Sequence, residues 1–358
     1  MRRLPARCLV IGDLINDVVV YPREAFARGS DTSSRIEASP GGSGANQAAW
    51  MAALGGSVRF VGRAGAGDAS VHRAALESLG IDARIAIDEQ RPTGTIVVLV
   101  TGDGERSMFT DRGASAALCE TDLPYDLLSG VSVLHVSGYA LFADESRGAV
   151  GRLWRAAQAE SIARTVDPAS CAGLKKLGTE AFLSLSAGAD VIFPNLDEGR
   201  LITGATDPGQ VADALVESYP LVVLKLGDEG VLTASRKGLR LRLKRPGREP
   251  AGEGGQAVLD STGAGDAFLG GFLAALLGGP SSTGEGAPSP GEAHRREELE
   301  VGELEVGELE VGEPFSIGQL CDAEIEHATR AGLDAATGAV HKLGARPPAW
   351  RTPRRGSR

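Results

Sequence analysis

Apolar runs of strand length alternate with amphipathic runs of helix length through most of this chain. The strand-like runs are CLVIG, VRFVG, VSVLHVSG, IARTVD, DVIFPN and LVVLKLG. The helix-like segments are residues 46–54, 69–79, 145–159 and 179–187. This alternation predicts βαβ units and therefore an α/β fold, a doubly wound and mostly parallel sheet flanked by helices. Ligands of such sheets bind beyond the carboxyl ends of the strands.

Two regions break this alternation. Residues 18–21 with 33–39, and residues 95–100 with 106–111, are pairs of strand-like runs joined by short polar links. They predict two antiparallel hairpins that form a small β sheet beside the main body. We expect this sheet, with strands within 17–40 and 93–113, to serve as a lid.

Composition and charge narrow the class of protein. With 358 residues, of which 42% are hydrophobic, the chain can bury a large core. Its net charge is -10, but residues 280–313 hold ten Glu and two Arg, which leaves -2 for the rest. A near-neutral globular part argues against nucleic-acid binding, and no apolar run reaches the ~20 residues of a membrane span. We therefore expect neither partner.

The acidic segment 280–313 contains ELEVG three times in succession. A five-residue period fits neither a helix nor a heptad, so we expect a disordered insertion, with a partner-binding segment as the alternative. The last helix is predicted from residue 316 to 341, and residues 347–358 as a flexible tail. The four cysteines show no CxxC spacing, which indicates neither zinc nor disulfides and favours a reducing cytoplasm.

One candidate site lies in LDSTGAGDAFLGGFLAALL. Its pattern predicts a strand, a tight turn at Gly263-Ala264-Gly265 and a buried helix with Asp266 in the first turn. Free N–H groups at such a turn form an anion site, and a carboxylate beside them can deprotonate a hydroxyl while the turn stabilises a phosphoryl group. The alternative is that Asp266 only caps the helix.

A second glycine cluster, GGSGANQAAWMAAL, again precedes a helix. Asn46 is polar where a core-facing helix favours Ala or Leu, so it is a candidate for binding a ligand hydroxyl. Neither cluster matches the dinucleotide fingerprint GxGxxG, and neither continues into the Gly-Lys-Ser/Thr of a P-loop. A dinucleotide-dependent oxidoreductase therefore loses its main support.

Together, GGSGANQAAWMAALG and DSTGAGDAFLGGF resemble the two signatures of the ribokinase-like (PfkB) carbohydrate kinases. Asn195-Leu-Asp-Glu198 resembles the NxxE motif of that family, and Lys225-Leu-Gly227-Asp-Glu-Gly230 its nucleotide-side glycine strand. The resemblance extends over residues 6–346 except the acidic insertion, so we expect one kinase domain over 1–346. It implies ATP-dependent phosphorylation of a primary hydroxyl of a sugar or sugar-like substrate.

The resemblance also implies a role for each motif residue. Asp266 would be the general base, and the N–H groups of Gly263, Ala264, Gly265 and Asp266 would stabilise the transferring γ-phosphate. Glu198 with Asn195 would hold Mg²⁺ through water, although such a pair is also common on helix surfaces.

The motif residues imply two further sites. Asp260 and the carbonyl of Thr262 match the family's monovalent-cation site, which suggests K⁺, with capping of the turn as the alternative for Asp260. The remaining nucleotide-side candidates are Lys225, Gly227, Gly230 and His327. A surface lysine and a structural histidine are the alternatives for Lys225 and His327.

The identity of the acceptor stays open. Four residues match the family's sugar-binding positions: Asp17, Gly41, Gly42 and Asn46. Three positions depart from ribokinases, with Ile15 and Tyr139 at expected sugar-binding positions and Ser43 in place of a lysine. The pocket is thus less polar than free ribose needs, and a deoxy-sugar, a keto-sugar or a nucleoside is equally admissible. A catalytically weak sugar sensor is the remaining alternative, and a homodimer through the lid is expected.

Overall fold

The computed structural model describes residues 6–25, 27–100, 106–245, 263–278, 315–340 and 345–347. The strands are β1 (Arg7–Ile11), β2 (Ile15–Pro22), β3 (Ser34–Gly41), β4 (Ser57–Gly65), β5 (Asp82–Asp88), β6 (Thr93–Val100), β7 (Arg106–Gly113), β8 (Val131–Ser137), β9 (Ala163–Asp167), β10 (Val191–Ile192), β11 (Leu221–Lys225), β12 (Val231–Ser235) and β13 (Arg240–Leu243). The helices are α1 (Ser43–Ala53), α2 (Ala69–Glu77), α3 (Tyr139–Phe142), α4 (Asp144–Ala159), α5 (Cys171–Leu177), α6 (Thr179–Leu185), α7 (Leu196–Thr203), α8 (Pro208–Val216), α9 (Ala264–Leu276) and α10 (Asp322–Ala339).

The main sheet confirms the predicted fold class. Across the described ranges it has nine strands in the order β13-β12-β11-β10-β9-β8-β1-β4-β5. The strands from β5 to β11 in this order are parallel, and β12 and β13 extend one edge as antiparallel strands. The chain places β4 on one side of β1 and β8 on the other. The neighbourhood of β1 is therefore the switch point at which ligands of such sheets bind.

Helices cover both faces of this sheet, because alternate side chains of a strand point to opposite faces. Leu9 and Ile11 of β1 belong to one apolar core, which includes residues of α4 and α8. Cys8 and Val10 belong to the other, with residues of α1, α9 and α10. Burial on both faces explains why the strands are continuous apolar runs rather than alternating ones.

The two predicted antiparallel hairpins are also confirmed. The second sheet has four strands in the order β3-β2-β6-β7, in which β2 pairs antiparallel with β3 and β6 antiparallel with β7. Parallel pairing of β2 with β6 joins the two hairpins into one sheet.

Close backbone approaches bring the two glycine clusters to one place. A Cβ on Gly12 would lie 2.5 Å from the Cα of Gly44, so the chain after β1 lies directly on the start of α1. A Cβ on Gly270 would lie 2.5 Å from the Cβ of Trp50, which sets α9 tightly against α1. The prediction that Asp266 lies in the first turn of a buried helix is confirmed by α9.

The remaining expectations have different outcomes. The last helix begins at Asp322, later than the predicted residue 316, because a 3₁₀ turn at Ile317–Gln319 comes first and the Glu324 carboxylate caps the N–H of Cys321. All four cysteines are free.

In the part of the chain that the structure describes, no helix is both long and apolar enough to cross a membrane. The strand-like approach at 257–259, the acidic insertion and Asp260 and Thr262 lie outside the described residues, as does the tail apart from Pro347.

Candidate active site

Polar residues follow several strands of the main sheet at their carboxyl ends. Asp13 comes after β1, Asp167 ends β9, Lys225 ends β11 and Asn195 follows β10. Since the carboxyl ends of parallel strands share one edge of a sheet, these side chains converge there, where α1 and α9 also begin. The fold thus places both glycine motifs and four strand ends at a single site.

Asp266 is held by three side chains from the N-terminal end of α1. The Ser43 hydroxyl donates to Asp266 Oδ1 at 2.7 Å, Gln47 Nε2 donates to the same oxygen at 3.1 Å, and Asn46 Nδ2 donates to Oδ2 at 3.3 Å. Burial raises the pKa of Asp266 to about 7; Asp167 adds to the rise, while the bonds from Ser43 and Asn46 and the charge of Lys225 oppose it. A fixed carboxylate with this pKa is suited to accept a proton near neutral pH.

A buried network orients Gln47 toward Asp266. His135 Nε2 lies 3.0 Å from Gln47 Oε1, and His135 Nδ1 lies 2.8 Å from the hydroxyl of Thr165. Burial lowers the pKa of His135 to about 3, so the ring is neutral and its one N–H is available to Gln47. The Gln47 amide nitrogen then donates to Asp266 and, at 3.1 Å, to Asp167 Oδ2.

The turn before α9 has the geometry of an anion hole. Gly263 adopts φ 79°, a left-handed conformation that favours glycine, and its carbonyl accepts the first helical bond from Ala267 N. The N–H groups of the first helical residues lack intrahelical acceptors. A Cβ on Gly265 would lie 3.6 Å from Lys225 Nζ, so the ammonium group lies beside this turn.

Lys225 ends β11 with a partly buried side chain that is only 15% exposed, so the surface alternative for it is wrong. Its ammonium group donates to Asp167 Oδ2 at 3.1 Å. Burial disfavours the charged form, but the carboxylates of Asp167 and Glu198 outweigh this effect and raise the pKa of Lys225. The lysine therefore remains a cation between the carboxylates and the anion hole.

The predicted sugar-binding positions also meet at this edge. The Asp17 carboxylate of β2 fills the space beside Gly41, where any Cβ would collide with it. Gly42 has φ 100°, and a Cβ there would collide with the carbonyl of Asp13. Burial raises the pKa of Asp17 to about 6, with Arg346 opposing the rise. Both positions therefore require glycine, because other atoms of the chain lie where a side chain would begin. The groups available to a ligand here are the carboxylate of Asp17 and the amide of Asn46.

Tyr139 is connected to the predicted sugar-binding positions through Arg112. The Arg112 guanidinium lies 3.6 Å from the centre of the Tyr139 ring and donates to Asp13 Oδ2 at 2.8 Å. Asp13 Oδ1 accepts from Gly44 N at 2.9 Å. The ring of Tyr139 thus supports Arg112, and this face of the ring is covered.

The NxxE motif forms a capping box at the start of α7. Asn195 Oδ1 accepts from Glu198 N at 2.8 Å, and Glu198 Oε2 accepts from Asn195 N at 2.8 Å. Glu198 is only 2% exposed, so the helix-surface alternative is wrong. Burial raises the pKa of Glu198 to about 7; Asp167 raises it further and Lys225 lowers it.

A cleft of about 220 Å³ borders the turn before α9 through Ala264 and Gly265. It is lined by Lys225, Gly227, Asp228, Gly230, Arg245, Ala264, Gly265, Phe268, Leu333, Ala336, Thr337 and Val340. Gly230 adopts φ 98° there, and a Cβ would collide with the carbonyl of Leu243. The expectation that His327 lies here is wrong, because α10 enters the cleft through Leu333 and later residues, whereas His327 is exposed almost two turns earlier.

Several residues of the site were not identified from the sequence. They are Asp13, Gln47, Arg112, His135, Asp167 and Arg346. Asp13 and Asp167 follow buried strands at their carboxyl ends, and that position was the available signal. Gln47 lies inside the first motif. Arg112 and Arg346 carried no signal in the sequence.

Comparisons with known proteins agree with this geometry. The family model described as pfkB family carbohydrate kinase matches residues 5–284. The fructokinase of Escherichia coli is 31% identical over 293 residues, which cover 78% of this chain and 86% of that protein. Adenosine kinase from Sinorhizobium meliloti superposes with a TM-score of 0.75 at 21% identity, covering 96% of this chain and 97% of that one. Ribokinase from Giardia lamblia gives 0.70 at 21% identity, with 96% and 95% covered. At such identities, the two structures support the fold alone.

Proposed function

The chain belongs to the pfkB family of carbohydrate kinases, and on that premise we propose that it transfers the γ-phosphoryl group of ATP to a primary hydroxyl of a neutral sugar. One observation carries the proposal: Asp266 lies partly buried in the first turn of α9, beside a left-handed glycine turn, and is held by three donors from α1. This arrangement supplies a base and an anion hole within one helical turn.

In the proposed reaction, Asp266 accepts the proton of the acceptor hydroxyl as its oxygen attacks the γ-phosphorus atom. The bond from phosphorus to the bridging oxygen breaks, and ADP leaves. The N–H groups of Gly263, Ala264, Gly265 and Asp266 stabilise the charge on the transferring group, and Lys225 adds a fixed positive charge beside them. Asp167 accepts a hydrogen bond from Lys225, and Gln47 donates to both Asp167 and Asp266. These bonds hold Lys225 and Asp266 in fixed positions relative to each other.

The charges around the acceptor site support a neutral substrate. Among the described residues, the carboxylates of Asp13, Asp17 and Asp266 interact with the guanidinium groups of Arg112 and Arg346. Lys225 also faces Asp266, but it is paired with Asp167, so four carboxylates against three cations leave no surplus cation for a sugar acid or a sugar phosphate. Hydroxyl groups, in contrast, can donate to Asp17 and bind both ends of an amide such as Asn46.

The fructokinase relative favours a ketohexose such as fructose as the first acceptor to test. The alternative is a nucleoside, since one structural neighbour is an adenosine kinase, but at 21% identity this likeness concerns the fold. The geometry of Tyr139 argues against it, because Arg112 occupies a ring face that a base would stack on. A sensor without catalytic activity is disfavoured by the complete set of contacts to Asp266.

The cleft lined by Phe268, Leu333 and Val340 offers an apolar surface on which the adenine of ATP would bind, and Gly227 and Gly230 also line it.

In the described part of the chain, no three His, Cys, Asp or Glu side chains converge to hold a metal ion directly. The buried Glu198 suits Mg²⁺ bound through water, since this ion keeps most of its hydration shell and needs few carboxylates. Mg²⁺ bound there with ATP would neutralise phosphate charge. K⁺ at Asp260 and Thr262 is proposed from their sequence motif.

The four-stranded second sheet is proposed to act as a lid and as a dimer interface. Asp17 is on one face of β2, whereas Val18 and Val20 point to the opposite face. Val20 pairs with Ile36 of β3, and Val18 pairs with Val97 of β6, which in turn pairs with Phe109 of β7. Phe109 is 61% exposed and Ile36 62% exposed. We propose that Asp17 faces the acceptor and that this outer face contacts a second copy of the chain. Sedimentation of the wild type and of Phe109→Ser tests the dimer, which the substitution should weaken.

An acceptor panel tests the proposed activity. The purified chain is incubated with ATP, Mg²⁺ and, separately, fructose, other neutral hexoses, ribose, a sugar acid and adenosine, and ADP release is measured. We expect a neutral sugar to give the highest rate, with phosphate on its primary hydroxyl by ³¹P NMR. Equal background rates with every acceptor would contradict the proposal, and adenosine as the best acceptor would favour the nucleoside alternative.

A further inference from the structure

Arg346 lies inside the acceptor site although neither glycine motif contains it. It belongs to residues 345–347, which follow α10 in the chain, and it is only 7% exposed. Its Nε donates to Asn46 Oδ1 at 2.9 Å, and its Nη2 donates to the carbonyl of Gly41 at 3.1 Å. One guanidinium group therefore contacts two of the predicted sugar-binding positions, Asn46 on α1 and Gly41 at the end of β3.

The contact with Asn46 determines which way its amide faces. An amide has an oxygen that accepts hydrogen bonds and a nitrogen that donates them. Because Arg346 donates to Oδ1, the nitrogen of Asn46 faces Asp266, where it donates to Oδ2 at 3.3 Å. With the amide reversed, an oxygen would face the carboxylate and the bond would be lost.

The contact with Gly41 places the positive charge next to Asp17, whose carboxylate fills the space beside that glycine. Burial raises the pKa of Asp17, and the charge of Arg346 is the largest effect that opposes the rise; Asp13 raises this pKa and Arg112 lowers it. Burial lowers the pKa of Arg346 itself to about 9, while Asp17, Asp266 and Asp13 favour its charged form. At neutral pH, Arg346 remains a cation and favours the ionised form of Asp17.

We propose that Arg346 is a positioning residue for the acceptor: it orients the Asn46 amide toward Asp266 and holds Asp17 as a carboxylate ready to bind a sugar hydroxyl. The inference rests on the proposed function. It makes the segment after α10 a third contributor to the acceptor site, in addition to the lid strand β2 and helix α1.

Ala345, the residue before Arg346, has a purely structural role in this segment. Ala345 accepts from Trp50 Nε1 at 2.9 Å, and its Cα would lie 2.6 Å from a Cβ on Gly263. These contacts anchor the chain against α1 and the anion-hole turn through backbone atoms. A substitution at Arg346 leaves them available, so the anchoring and the positioning can be separated.

The test compares Arg346→Met and Arg346→Lys with wild type, with fructose or the best acceptor of the panel. The methionine variant keeps the aliphatic stem but loses the charge and both bonds, so we expect the acceptor KM to rise at least about tenfold, with the ATP KM within about twofold. The acid limb, which is the decline of kcat/KM for the acceptor at low pH, should begin at a pH about one unit higher. This follows because Asp17 and Asp266 lose a nearby cation. The lysine variant should restore the acid limb and only part of the KM.

Arg164→Met is the matched control. Arg164 is likewise 7% exposed and lies near the start of β9, at the edge of the sheet opposite the site, where it donates to Gln158. This control should lower the melting temperature without moving the acceptor KM or the acid limb. If Arg346→Met does the same, Arg346 is only structural.

If the methionine variant does not fold, the lysine variant decides the question: an acceptor KM equal to that of wild type would contradict the inference. An active wild type whose Arg346 variants bind the acceptor normally in calorimetry would overturn the inference alone. A wild type that transfers phosphate to no acceptor would instead contradict the proposed function on which it rests.

Discussion

The acceptor side and the nucleotide side of this site are built in different ways. On the acceptor side, the partly buried Asp17 and Asp266 and the buried Arg346 are ionisable groups within one network. On the nucleotide side, the cleft is formed by turn glycines and by apolar side chains such as Leu333 and Val340. The first region therefore depends on charge and hydrogen-bond direction, and the second on shape.

This difference predicts different consequences of mutation. A buried carboxylate or amide on the acceptor side has defined partners, so removing it changes the protonation or orientation of its neighbours. An apolar side chain in the cleft contributes area and shape, and a change there alters the fit of the nucleotide without altering charge. Variants on the acceptor side should accordingly have the larger effects on chemistry.

The largest effect is expected for Asp266→Asn. The substitution preserves size but removes the proton acceptor, so kcat should fall at least ~10²-fold while acceptor and ATP affinities stay near those of wild type. Asp190→Asn is the control, since Asp190 is a partly buried carboxylate at the other edge of the sheet, where it accepts from Arg164 N. A kcat within a few-fold of wild type would remove Asp266 from catalysis.

Asp17→Ala should act mainly on acceptor binding. Loss of the carboxylate removes a hydroxyl contact and the residue that connects the acceptor to the lid, so the acceptor KM should rise at least about tenfold. The ratio of ADP to sugar phosphate should also rise, because an open lid admits water. Asp31→Ala, at an exposed lid position, is the control. An unchanged KM and ratio would show that Asp17 is structural.

A smaller effect is expected when the nucleotide cleft is narrowed by Ala336→Leu. The larger side chain occupies space in the cleft, so the ATP KM should rise by up to about tenfold, while the calorimetric affinity for the acceptor stays unchanged. Ala323→Leu adds the same side chain at an exposed position of α10. If the acceptor affinity falls as much as the ATP affinity, the two regions are not separable.

The smallest effect concerns stability. The pKa of Asp266 is raised from 3.8 to about 7, so the folded state binds a proton that the unfolded state has lost between these values. The stability of wild type should then decrease as pH rises through this window. Asp266→Asn should melt close to wild type near pH 4 and several degrees higher at pH 8, by calorimetry. An equal difference at both pH values would contradict a raised pKa.

How much of this could be predicted from the sequence differs between the same two regions. The apolar strand runs and the two glycine motifs were sufficient to predict the sheet, the lid and the location of Asp266. Local patterns have this power because burial on both faces requires continuous apolar strands, and because tight turns require glycine.

Contacts between distant segments were not predictable in the same way. Gln47 reaches Asp167 across 120 positions, and Arg346 reaches Asn46 across 300. No periodicity or spacing encodes such a pair, since the packing of several helices determines it. His327 shows the converse error: it lies on the predicted helix, but the crossing of α10 with the cleft brings Leu333 and Thr337 there instead.

The most direct test of the account is the pH dependence of kcat/KM for the acceptor, which reports ionisations of the free enzyme. The account predicts a decline below pH 7, as Asp266 takes up a proton, and a steeper decline below pH 6, where Asp17 does so as well. Asp17→Asn should remove the second decline and keep the first. A value of kcat/KM that stays constant from pH 5 to pH 8 would contradict the claim that the Asp266 carboxylate must be ionised for this enzyme to phosphorylate its substrate.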